Sequence, residues 1–212
     1  MFSCAANTFS NSKLWIVKKS DLSYSAHENF SGYQDGTYMP AEVRASTGAG
    51  AGIGTYLLSA AYSNQLSMAQ IKNPSGIVSF DRKYLSLGNI GTSGGLSADQ
   101  KGSTQKIAAG DWRSYDAVYD NNFLWVVISR LVGGQPTAIW VQVDVSNWAA
   151  PSIVQLGYIG GEDISPGTHT FYPSVAVNKD GVAAFGFSAS GSNIYAGAYL
   201  HMAPSNRHYR NY

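Results

Sequence analysis

The segment FYPSVAVNKDGVAAFGFSASGSNIYAGAYL, Phe171 to Leu200, alternates apolar or small residues with polar ones. It breaks at Asp180-Gly181, alternates again, breaks near Gly191 and alternates a third time. Period-two alternation predicts strands, and the Asp, Asn and Gly clusters between the runs predict turns. SYDAVYDNNFLWVVIS, Ser114 to Ser129, has the same strand–turn–strand form. Tyr115 aligns with Tyr172, Val118 with Val175 and Asn121 with Asn178, an offset of 172 − 115 = 57. On the second strand Ser129 aligns with Ser188, an offset of 188 − 129 = 59 set by a longer turn. Third strands follow as AIWVQVDV (138–145) and IYAGAYL (194–200), and SIVQLGYIG (152–160) reads as a fourth.

The first half carries the same rhythm. KLWIVKKSDL (13–22) has the look of AIWVQVDV, with Trp15 and Trp140 separated by 140 − 15 = 125 residues, about two periods. Between them GTYLLSAAYSNQLSMAQI (54–71) is another strand–turn–strand, and IVSFDRKYLSLG (77–88) another fourth strand. A strand before GYQDGTYMP and one near AEVRAS complete the count. No segment holds the i, i+3, i+4 apolar pattern of a helix over three turns.

A four-strand unit recurring every fifty-odd residues predicts an all-β chain, a β-propeller of four-stranded antiparallel blades. The expected divisions are a partial blade at 13–40, blades at 41–90 and 110–160, and a partial blade at 168–202. The chain opens and closes on a third strand, so it reads as an incomplete propeller, part of a longer chain whose remaining blades cover its faces. Alone, its unpaired edges and open faces are expected to make it self-associate. Blades packed on both sides explain why Val175, Ala176, Val177, Val182, Ala184, Phe185 and Phe187 are apolar on both sides of the pleat. Asp180-Gly181 is expected to supply the positive φ angles of a tight hairpin. The rival architecture is a lectin-like β-sandwich, in which the repeat is accidental.

YPSVAVNKDGVAAFGFSASGSNIYAGAY, with YDAVYDNNFLWVVIS and IWVQVDVS before it, resembles repeats of large bacterial secreted β-propeller proteins, grouped loosely with the sialidase-like propellers. The resemblance runs from Trp112 to Leu200 and is faint in the first half. It implies the blade fold and an extracellular or cell-surface location, and no particular activity.

Composition agrees with that setting. Of 212 residues, 13% are charged, 44% hydrophobic and 13% aromatic, against roughly 25% charged in an average domain. Hydroxyls and amides therefore carry the polarity. A net charge of +1 encodes no pull toward nucleic acid or anionic membrane. Cys4 is alone, which excludes an internal disulfide. No apolar run reaches the roughly 20 residues of a spanning helix, and MFSCAANTFSNSKLW does not have the form of a signal peptide.

Most chemical motifs dissolve on inspection. VNKDGVAAF lacks the spacing and strand position of the Asp-box of sialidases and reads as a hairpin turn. Arg44, Arg82, Arg113, Arg130, Arg207 and Arg210 lie outside that family's arginine signature, with Arg113 and Arg44 near the starts of inner strands. Asp111, Asp116, Glu162 and Asp163 are the loop carboxylates that a glycosidase could pair. His27, His169, His201 and His208 lack metal-ligand spacing, and GGEDISPG lacks that of a calcium loop. GTSGG matches a nucleophile elbow in letters, but no helix follows, so Ser93 reads as a loop serine. The basic-aromatic tail HMAPSNRHYRNY reads as a strand end rather than a nucleic-acid contact. No catalytic residue, metal site or cofactor is assigned.

GDWRSYD (110–116) follows the long polar loop GTSGGLSADQKGSTQKIAA and enters an inner strand; GTHTFYP (167–173) holds the same place one unit later. These junctions share one rim of a propeller. Trp112, Arg113, Tyr115, His169 and Tyr172 are therefore expected to gather there as a ligand site for carbohydrate or protein, aromatic surface with a few polar groups. The competing reading wedges Trp112 and Tyr172 between blades. The expected function is a non-catalytic binding module of a secreted or surface protein. The alternative is part of a glycosidase-like enzyme whose catalytic residues lie mostly elsewhere.

Overall fold

The computed structural model describes residues 2–5, 8–31, 37–44, 50, 52–60 and 64–203. Among these the chain is all strand and loop, with no helix. Among the described residues, four sheets of three or more strands follow one another, with a separate two-stranded hairpin between the second and third of them in sequence. Sheet I is β1 (Phe2–Ala5), β2 (Thr8–Val17) and β3 (Tyr24–Ser31) in that order. Sheet II is β4 (Met39–Pro40), β6 (Ile53–Ala60), β7 (Gln65–Lys72) and β8 (Ser79–Ser86). Sheet III is β11 (Ser114–Asp120), β12 (Phe123–Val132), β13 (Gln135–Asp144) and β14 (Ser152–Ile159). The two-residue β5 (Glu42–Val43) runs parallel to β11 on its outer edge. Sheet IV is β15 (His169–Val177), β16 (Ala183–Gly191) and β17 (Ile194–Ala203). Each sheet is a meander, as alternation punctuated by turn residues dictates.

Alternation also decides the packing. On sheet III, Tyr119, Leu124, Val126, Ile128, Ile139, Val141 and Val143 face sheet II, where Tyr56, Leu58, Ala60, Leu66 and Met68 meet them. The intervening Val118, Trp125, Val127, Ala138 and Trp140 face sheet IV and pack on Val175, Val177, Phe185 and Phe187. Leu57, Ala69 and Ile71, on the other face of sheet II, take Leu14 and Ile16 of sheet I. The sheets therefore stack in chain order, and sheets II and III are covered on both faces. This is why the central strands β12 and β13 are apolar on both faces.

The outer sheets differ from expectation. On sheet IV, Ala176, Leu200 and Met202 are exposed, because no described residue packs on that face. On sheet I, Trp15, Val17 and Tyr24 are exposed on the face turned away from sheet II, with Trp15 edge-on to Tyr24 at 4.8 Å. Trp140 instead faces the next sheet, so Trp15 and Trp140 are not equivalent: a one-residue slip inverts the face.

Register corrects two further expectations. Val118 pairs with Trp125 and Val175 with Phe185, so the second strands are offset by 185 − 125 = 60, and Ser129 corresponds to Ala189 rather than Ser188. The tight two-residue hairpin is at Asn121-Asn122, both at positive φ (46° and 69°). In the Asn178–Val182 turn only Gly181 (φ 75°) is left-handed, and Asn178 Oδ1 accepts from the amides of Asp180 and Val182. The strand expected before GYQDGTYMP is β3, and β1 adds a strand ahead of it. Near AEVRAS the chain changes sheets: β4 pairs with β6 and β5 with β11. Ala45, Ser46 and the tail from Pro204 lie outside the described residues.

Candidate functional site

The stretch expected to be a long polar loop is folded. β9 (Ser97–Gln100) and β10 (Ser103–Ala108) form a hairpin, and Leu96, Ala98 and Ala109 bury against Phe171 of sheet IV. Ahead of it Thr92 bonds Leu131 in both directions, and Ser93 lies in loop with no helix after it. Two side chains from β15 fasten the hairpin. Tyr172 Oη donates to the Ala108 carbonyl at 3.0 Å, and His169 Nδ1 accepts from the Asp99 amide at 3.2 Å. His169 is 6% exposed, and burial holds its pKa below the ordinary value, with nearby Asp99 opposing and Lys106 reinforcing the shift. Its lone pair serves the hairpin and not a ligand.

The hairpin delivers the chain to the Gly110–Tyr115 loop. Gly110 has φ 85°, a conformation that favours glycine. Tyr115 closes the loop: its Oη accepts from the Asp111 amide and donates to the Asp111 carbonyl, both at 2.8 Å. Burial raises its pKa, keeping it a neutral phenol. Asp111 holds Arg113 through two contacts, Oδ1 to Nε at 2.9 Å and Oδ2 to Nη2 at 2.6 Å, which raises the Arg113 pKa. Tyr115 and Tyr172 sit at matching bulges near the starts of β11 and β15, and their rings meet edge to face at 5.7 Å.

Together these groups border a pocket of about 350 Å³, lined by Thr37, Met39, Gly110, Asp111, Arg113, Ser114, Tyr115 and Tyr172. Three of the five expected site residues, Arg113, Tyr115 and Tyr172, converge on it. Trp112 and His169 do not line it: the Trp112 carbonyl accepts from Arg130 Nη1, and His169 lies under the hairpin. No family model, curated protein or solved structure matches the chain. The chemistry of the pocket therefore rests on its own geometry.

Arg130, one of the six arginines named from the sequence, does not line the pocket but bonds the loop that does, through the Trp112 carbonyl. It is 1% exposed on β12 and also donates to the Ser129 carbonyl at 3.0 Å. Burial pulls its pKa down to about 10, with the charge of Asp111 opposing the shift, so at neutral pH it remains a cation. Asp111 thus answers two guanidinium groups. The Asp111-x-Arg113 spacing ahead of a strand was the available signal. Met39 and Thr37 come from the chain entering sheet II, and no local pattern foretells them.

The other carboxylates serve the scaffold. Asp116 Oδ2 accepts from the Val175 amide at 3.0 Å, tying sheet III to sheet IV, and Glu162 accepts from the Gly167 amide. Arg44 pairs with Glu42 at 2.9 Å. Among the described residues no group of three His, Cys, Asp or Glu side chains could hold a metal ion, and no helix is long and apolar enough to cross a membrane.

Proposed function

We propose that the chain is a run of propeller-type blades, related to the bacterial secreted propellers it resembles, that serves as a non-catalytic binding module of a secreted or cell-surface protein. The pocket between sheets II, III and IV holds a carbohydrate unit or a protein side chain. The observation that carries this reading is the joining of Tyr115 and Tyr172, from two consecutive repeats, with an Arg113 fixed by Asp111, in one solvent-facing recess. An exposed aromatic ring (Tyr172 is 44% exposed) beside immobilised polar groups suits a sugar face or a side-chain amide. Asp111 is already engaged by Arg113, which favours binding over general acid–base work. The open outer faces of sheets I and IV suit further blades of a longer chain.

Screening the protein against immobilised glycans and peptides tests this. A ligand retained by the wild type should be lost with Arg113→Ala, which melts within about 2 °C of the parent as exposed positions do, and with Tyr172→Ala, which should melt roughly 2–4 °C lower because it gives up the hydrogen bond to Ala108. Ligand retention unchanged in both variants would remove the pocket from the function. Release of reducing ends from a bound glycan would favour the glycosidase-like alternative.

A further inference from the structure

At the other end of β11 a second cleft, of about 340 Å³, opens between sheets III and IV. β11 has 7 residues, so the two recesses lie roughly 20 Å apart, at opposite rims of the stack.

Its construction follows from register. Side chains on the face of sheet III toward sheet IV continue past the last apolar contacts. Asp120 sits opposite Phe123, and Gln142 opposite Trp125 and next to Gln155. Sheet IV stops short at the Asn178–Val182 turn, whose Lys179 and Asp180 form the facing wall. Asn178 braces that turn through its own side chain. The cleft is therefore walled by two equivalent turns of consecutive repeats, each held rigid.

Two of its polar side chains are almost entirely buried: Asp120 is 8% and Gln142 4% exposed. Each uses one atom inside the protein. Asp120 Oδ2 accepts from Asn121 Nδ2 at 3.0 Å, and Gln142 Oε1 accepts from Gln155 Nε2 at 2.8 Å. The other atoms, Asp120 Oδ1 and Gln142 Nε2, have no partner among the described residues and are not sealed from the cleft. An acceptor and a donor are thus fixed on strands over an apolar floor of Phe123 and Val154. Fixed polar atoms over an apolar surface are the recognition chemistry of a small organic ligand. Lys179, the cation in the cleft lining, is already paired with Asp180 at 2.7 Å, so no unpaired cation among the described residues faces the cleft, which disfavours anions. What remains complementary is a neutral ring bearing hydroxyls, one to donate to Asp120 and one to accept from Gln142, with its C–H face on the floor.

We propose that this cleft is a second binding site, separate from the Tyr115–Tyr172 pocket, that takes a neutral hexose unit of a glycan through two of its hydroxyls. The test is an amide-detected NMR titration of the intact chain with the methyl glycosides of glucose, galactose and mannose. At least one should shift the Gln142 side-chain amide and the backbone amides of Asn121 and Asp180, saturating in the millimolar range, roughly 1–10 mM. Asp120→Leu and Gln142→Leu should each weaken that binding about tenfold, the consequence of one lost hydrogen bond to a hydroxyl. Lys19→Met, at an exposed position in the β2–β3 turn away from the cleft, should leave the fold intact and change affinity less than about threefold. If the two buried variants fail to fold, the wild-type shift map decides alone. No shift at these three residues with any of the glycosides, or shifts confined to Gly110, Arg113 and Tyr172, overturns the proposal; the latter outcome would place the sugar in the first pocket instead.

Discussion

Replacing Phe185 with alanine is expected to lower the unfolding free energy by about 3–5 kcal/mol, the range for truncating a buried aromatic side chain. Phe185 is fully buried at the centre of the contact between sheets III and IV. It stacks on Trp140 at 5.3 Å and lies 6.2 Å from Trp125, and those two tryptophans are 5.7 Å apart. Both tryptophans are nearly inaccessible, and neither can swing into the space a lost phenyl ring leaves without abandoning its own contacts. The loss should appear as a midpoint shift with an unchanged slope in denaturant titrations, and as a fall in melting temperature of roughly 8–15 °C. A loss under about 1 kcal/mol would mean that sheet IV is not held by this cluster.

Gly110→Ala is the second large effect, and it acts on the site as well as on stability. A methyl group at Gly110 would fall inside the Tyr115 hydroxyl and come within 2.8 Å of Tyr172 Cε1. The backbone there is left-handed, which costs an alanine about 1 kcal/mol. Displacing the Tyr115 hydroxyl breaks two hydrogen bonds to Asp111, worth about 1 kcal/mol each. The expected destabilisation is therefore about 3 kcal/mol, together with loss of any ligand bound at Arg113 and Tyr172. Gly95→Ala is the control: nothing lies within 4 Å of the added carbon, and its effect should stay within about 0.5 kcal/mol. Equal stability of the two variants would show that the Gly110–Tyr115 loop does not have this shape.

The sequence made the strands legible where alternation was long and turns were sharp. The meanders of sheets III and IV, and the meeting of Tyr115 with Tyr172, follow from one repeat offset and the period of two. Register within the repeat was less visible. The turn after Val177 exceeds the Asn121-Asn122 hairpin by three residues rather than two, because Asn178 braces a wider loop, and letters alone cannot show which serine then matches Ser129. Trp15 misled in the same way: identity of residue type outweighed its place in the pleat. The hairpin at 97–108 was hidden because its strands are short and polar, and they are stabilised by docking on Phe171 rather than by a pattern of their own. The site was half legible. Arg113 and the tyrosines stand beside the predicted junction, whereas Thr37 and Met39 arrive from a distant part of the chain through tertiary packing. His169 had the right position in sequence but lies beneath the inserted hairpin.

We propose that consecutive sheets are repeats related by one operation, a rotation about a shared axis, as in a propeller. A crystal structure measures this directly. The rotation that carries β11–β13 onto β15–β17 and the one that carries β6–β8 onto β12–β14 should share an axis, with Tyr115 superposed on Tyr172 and Trp125 on Phe185. Two unrelated axes, or sheets collapsed into the two layers of a sandwich, would contradict it.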